Sequence, residues 1–155
     1  MTEWNDLPEE RPGKGDFDPY EGCLDALAAW KNFGGLSRAE AYAKFCEMPE
    51  VHYEAFLWMG GVAFDFYYPV VERYILESRV SDNNDVEAIW VLAFCLKKQV
   101  EVFPSQHLRD PFLELVSHVR SHLEQYSVDE DEQGRIDSAW YELECAVKQP
   151  PWFAF

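Results

Sequence analysis

The chain has 155 residues and sets 29 Asp and Glu against 13 Lys and Arg, for a formal charge of −16. A surplus of that sign repels nucleic acid and anionic membrane and draws basic partners. The hydrophobic fraction of 48%, with 6 Trp, 8 Tyr and 11 Phe, excludes an acidic disordered chain, and the length fits one domain with its own core.

Residues 1–17 are rich in Pro, Gly and acid and read as an acidic arm, with Trp4 and Leu7 available to pin it to the body. The arm lacks a basic start followed by an apolar run, so a secretory signal is not expected. Asp18-Pro19 reads as a cap with Pro at the first helical position, and Tyr20, Cys23, Leu24, Leu27 and Trp30 then recur at helical spacing. Gly34 and Gly35 stop that helix. Ser37 followed by Glu40 forms a capping box, and the helix it opens turns Ala39, Tyr42, Ala43 and Cys46 inward before Pro49.

Val51 to Met59 predicts a short helix, broken at Gly60-Gly61. The following VAFDFYYPVVERYIL alternates loosely, but Pro69 argues against a central strand, so helix is the expectation throughout. Asp82 to Asp85 caps the next helix, in which residues 88–96 are apolar on every side, the signature of a buried bundle centre. Asp110-Pro111 opens another helix, with Phe112, Leu115, Val116, Val119, Leu123 and Tyr126 in one stripe. Ser127 to Glu130 reads as a second capping box, and the last helix turns Ile136, Trp140, Leu143 and Val147 inward. Pro150-Pro151 ends it and leaves an aromatic tail over residues 150–155. The expected fold is an all-α, single-domain bundle of about six helices over residues 18–149.

No apolar run reaches the roughly 18 residues of a membrane span. Cys23, Cys46, Cys95 and Cys145 form no CxxC pair and are expected as small hydrophobes, reduced in the cytoplasm. Glycine-rich phosphate loops and GxSxG elbows are missing, so no cofactor and no enzymatic activity is the expectation. Glu114, His118 and His122 lie four apart on one helix face, a spacing that can hold a divalent metal; Arg120 between the histidines disfavours a cation, and solvated surface histidines are expected. Asp129, Asp131, Gln133 and Gly134 echo a calcium loop, but the glycine and final Glu fall at the wrong positions. Asp65, between Phe64 and Phe66, is expected to accept from a Tyr hydroxyl or from Arg73, or else to carry a raised pKa.

The strongest charge feature is Asp129-Glu130-Asp131-Glu132. Acids in a first helical turn complement the helix dipole, yet four adjacent like charges exceed that need. They are expected to form a docking face with Asp82, Asp85 and Glu87, with Trp152 and Phe153 as aromatic anchors.

Phe33-Gly34-Gly35, Ala39-Glu40-Ala41, Tyr53-Glu54, Trp58-Met59-Gly60, Ala63-Phe64 and Tyr67-Tyr68-Pro69 together resemble a pattern in small acidic bacterial proteins over about residues 30–76. That resemblance implies a bacterial origin and no activity. In size, acidity and helical content the chain also resembles, by type, the immunity proteins of bacterial toxin systems. That likeness implies a cytoplasmic binding module whose acidic face neutralises a basic, nuclease-like toxin. A metal-dependent helical enzyme built on Glu114, His118 and His122, and a helical scaffold or homodimer joined through the aromatic tail, are the alternatives.

Overall fold

The computed structural model describes residues 3–4, 7–80 and 86–149. Among these the chain is all-α, without a strand, and it forms one helical domain. The elements are α1 (Lys14–Phe17), α2 (Leu24–Phe33), α3 (Arg38–Glu47), α4 (Pro49–His52), α5 (Ala55–Trp58), α6 (Gly61–Glu77), α7 (Val86–Val102), α8 (Arg109–Ser121) and α9 (Glu130–Val147). Six of them have ten residues or more, as the hydrophobic periodicity predicts.

The centre of the bundle is α6. From Ala63 to Ile75 every side chain except Asp65 and Arg73 is buried. Pro69 sits inside the helix, where it removes the amide that the Asp65 carbonyl would accept. Burial on all sides outweighs that loss, because α6 meets aromatic rings from several helices. Phe45 of α3 stands edge-on to Tyr74 at 4.8 Å, and Phe112 of α8 lies 5.0 Å from Tyr68. Such pairs contribute about 0.5–1.5 kcal/mol each beyond their buried area.

α7 is less enclosed than its apolar sequence suggests. Ala88, Ile89, Leu92, Ala93, Cys95 and Leu96 are buried, but Phe94 is 57% exposed. The expected all-round burial therefore belongs to α6, not α7. α9 and α8 follow their predicted stripes: Ile136, Trp140, Leu143 and Val147 are buried, as are Phe112, Leu115, Val116 and Val119. The Trp140 indole N–H donates to the Ile89 carbonyl at 3.0 Å and joins α9 to α7.

Two helices present other faces than expected. In α2 the buried residues are Ala26, Ala29 and Phe33, while Leu24 is 82% exposed. In α3 they are Arg38, Ala41 and Phe45, and Ala39, Ala43 and Cys46 face water. In each case one Phe late in the helix reaches the core, and small residues let the backbone approach. Asp18 does not start a helix either. Its carboxylate accepts from the amides of Gly22 and Cys23, closing the turn before α2. The capping box of α3 forms as read, with Glu40 N–H to Ser37 Oγ at 3.1 Å and Ser37 N–H to Glu40 Oε1 at 3.0 Å. At α9 the cap moves to Asp129, whose Oδ1 accepts from the amides of Asp131 and Glu132, while Ser127 donates to Glu132.

The arm is fastened to the body. Phe17 is fully buried, the Arg73 guanidinium lies 3.6 Å over the Trp4 ring, and Arg11 donates to the Gly35 carbonyl. Gly60 sits where this arm crosses α6: its amide donates to the Phe17 carbonyl at 2.8 Å. A Cβ there would collide with the Asp16 carbonyl oxygen and the Pro19 ring. Gly60→Ala should therefore destabilise the fold by about 1–3 kcal/mol. Gly134→Ala, on an open face within α9, should stabilise it by about 0.5–1 kcal/mol. Urea unfolding of both variants checks the pair; equal effects would contradict the crossing geometry.

Candidate functional site

Two surface features carry chemistry: the acidic end shared by α7 and α9, and a cleft between the arm and α6. Helix direction builds the first. Arg135 of α9 lies over the Trp90 ring of α7 at 5.6 Å, and Glu142 pairs with Lys97 at 3.9 Å. Both pairs have the same sequence offset, so α7 and α9 run parallel. Their first turns lie at one end of the bundle, which brings Glu87 to the same end as Asp129, Glu130, Asp131 and Glu132. All five are exposed. Asp129 is engaged as the α9 cap and Glu132 accepts from Ser127, leaving Glu130 and Asp131 as the carboxylates set outward without a capping duty. Asp82, Asp85, Trp152 and Phe153 lie outside the described residues.

Further down α9 the acids are compensated. Arg120 donates from Nε to Asp137 and from one terminal nitrogen to Glu144, both at 2.8 Å, and Lys148 meets Glu144. Hydrogen bonds from Lys148 and Arg120 hold the Glu144 carboxyl below its ordinary value. The negative face is thus confined to the start of the helix. Because α9 is regular through Gly134, the calcium-like spacing builds no loop.

The aromatic component comes from a residue that sequence reasoning placed in the core. Phe94 lies two turns after Glu87 on the same stripe of α7, with half-buried Trp90 between them. The one signal available was that residues 88–96 contain more apolar side chains than one helix can bury.

The cleft has a volume of about 400 Å³ and is lined by Leu7 and Pro8 of the arm, Phe66, Tyr68 and Pro69 of α6, and Leu108, with Arg38, Asp65 and His107 among its polar walls. The partners of Asp65 are Ser105, whose hydroxyl donates to Oδ2 at 3.2 Å, and His107, whose Nε2 lies 3.3 Å away. They are not a Tyr or Arg73, which is held over Trp4. Burial pushes the Asp65 carboxyl above its ordinary value, and His107 and Ser105 partly offset that. A Ser, a His and an Asp in contact suggest hydroxyl catalysis, but Ser105 Oγ lies 3.0 Å from Nδ1 and 3.4 Å from Nε2 of the same ring. An oxygen on the in-plane axis of one ring nitrogen sits much farther from the other, so Oγ is aligned with neither. The three groups clasp the segment after α7 onto α6 and form no nucleophile–base chain.

The histidine face of α8 does not converge. The rings of His118 and His122 stack at 4.4 Å with 18° between their planes. Nitrogen lone pairs lie in the ring planes, so parallel rings point them side by side and not at a common ion. His118 Nε2 is engaged with Gln125, and His122 Nδ1 donates to the His118 carbonyl. Among the described residues no group of three His, Cys, Asp or Glu is placed to hold a metal. The four cysteines are free; Cys95 is buried, and its thiol is pushed up to about 12, whereas Cys46 is exposed. Among the described residues no helix is long and apolar enough to cross a membrane.

No family model, curated protein or solved structure matches this chain.

Desolvation holds the His118 pKa below its ordinary 6.5; the hydrogen bond to Gln125 offsets part of that, and the positive fields of His122 and Arg79 add to it. The unfolded chain then takes up that proton at a higher pH than the native one, so stability falls as pH drops below about 6.5. His118→Asn should flatten the fall in urea midpoint between about pH 6.5 and 5. A slope identical to the parent's would contradict the desolvated position of the ring.

Proposed function

We propose that this chain is a protein-binding module that captures a basic partner at the common end of α7 and α9. The observation that carries the reading is the set of exposed carboxylates at one end of two parallel helices, Glu87, Glu130 and Asp131, with an exposed aromatic, Phe94, two turns further along α7. Carboxylates at a rim speed encounter with a cationic surface, and a desolvated aromatic slows departure. A nuclease-like toxin has a cationic groove of the kind such a face would cover, which fits an immunity protein working in the cytoplasm, where free cysteines stay reduced.

The division of labour gives the test. A partner retained from the source cells should associate at least about tenfold more slowly at high than at low ionic strength. Glu130→Gln with Asp131→Asn should lower the association rate and leave dissociation unchanged. Phe94→Ala should speed dissociation about tenfold or more, with unfolding unchanged within about 0.5 kcal/mol because the ring is exposed. An association rate indifferent to salt, or a Phe94→Ala complex as long-lived as the parent's, would defeat the proposal. A doubled solution mass that Phe94→Ala abolishes would instead make the partner a second copy of this chain.

A further inference from the structure

The cleft beside the arm holds a buried cation, Arg38, with Asp65, Glu10 and His107 as the other polar groups of its lining. Arg38 is 8% exposed, its guanidinium lies 3.9 Å over the Phe66 ring, and its Nε donates to the Phe66 carbonyl at 2.7 Å. A guanidinium offers five N–H donors, and that carbonyl takes one. Among the described residues no carboxylate lies within ion-pair distance of Arg38. Burial disfavours its charged form, against the weaker support of Tyr67 and Glu9. A desolvated cation that, among the described residues, has only the field of Glu9 and Tyr67 to support it is costly, and an anion brought by a ligand would offset part of that cost.

The rest of the lining fixes the body of that ligand. Leu7, Pro8, Phe66, Tyr68, Pro69 and Leu108 supply apolar and aromatic walls, and about 400 Å³ suits a small molecule. Asp65 and Glu10 stand at the same cleft. Their charges oppose a second negative group, so one anionic end is the limit. We propose that this cleft binds a small aromatic or branched aliphatic monocarboxylic acid, with its carboxylate on Arg38 and its hydrocarbon against Phe66, Tyr68 and Pro69. The site is separate from the acidic end of α7 and α9, and ligand and protein partner are independent occupants.

Amide chemical-shift titration of the full chain with 3-phenylpropionate, its primary amide and phenylsuccinate tests the assignment. The acid should give saturable shifts centred on Arg38, Phe66, Tyr68 and Leu108. The amide, lacking charge, and the succinate, carrying two, should each bind at least about tenfold more weakly. Arg38→Met should abolish the preference for acid over amide. Should that buried substitution unfold the chain, titration of the parent at rising ionic strength should weaken the acid several-fold and leave the amide unchanged, and an acid affinity indifferent to salt would count against the Arg38 contact. Equal affinity for acid and amide, shifts centred away from Arg38, or no saturation with the acid would overturn the proposal.

Discussion

Arg11, Arg38, Lys44 and Arg79 donate to the backbone carbonyls of Gly35, Phe66, Asn32 and Leu76, and Arg73, Lys98 and Arg135 lie over the rings of Trp4, Trp58 and Trp90. A chain with 13 cations thus uses many of them as internal ties. The carbonyls of Asn32, Gly35 and Leu76 lie in the last turn of α2, the α2–α3 turn and the last turn of α6, where helix ends leave them open; Arg38 reaches inside α6, and the ring contacts join helix faces or the arm. Tyr67 adds to the same seam, its hydroxyl reaching the carbonyls of Phe33 and Leu36 while burial pushes its pKa up to about 12. A charge committed to a dipole or a π face is positioned by the fold and not by the acids around it. The surplus of carboxylates stays with the solvent on most helices, and helix direction decides which of them share an end.

Parallel packing of α7 and α9 is the step that turns composition into a surface. Two antiparallel helices with acidic first turns would place their charge at opposite ends. Here Arg135 over Trp90 and Lys97 beside Glu142 hold the register, and Trp140 locks it from within. Arg120 then limits the face by taking up Asp137 and Glu144. Salt bridges of this half-exposed kind contribute about 0–1 kcal/mol, so their consequence is chiefly for the shape of the field.

Where side chains alternate strongly between large apolar and charged, as in α8 and α9, the sequence alone placed the buried stripe correctly. It failed in α2 and α3, whose apolar residues surround the helix; there the choice fell to whichever face carried Phe33 or Phe45 into the aromatic cluster, a tertiary decision. The same degeneracy hid the exposure of Phe94 and made α7 look more central than α6. Caps were legible as residue types but not always as positions, since Ser127, Asp129 and Glu132 compete for the same few amides and the winner depends on how the preceding turn closes. Of the proposed docking residues, the acidic run from Asp129 to Glu132 and its grouping with Glu87 were read from the sequence, and the parallel course of α7 and α9 supplies the geometry that puts them at one end. The Asp65, Ser105 and His107 clasp and the cleft around Arg38 join residues far apart in sequence, for which no local pattern exists.

The central proposal is that the carboxylates at the common end of α7 and α9 carry the strongest negative potential on a surface where exposed acids also stand on the other helices. Amide proton relaxation by a cationic and an anionic paramagnetic co-solute, compared residue by residue, measures that potential directly. The account predicts the strongest preference for the cationic probe at Glu87, Glu130 and Asp131, fading along α9 beyond Asp137. A preference of equal size over every face of the protein would contradict it.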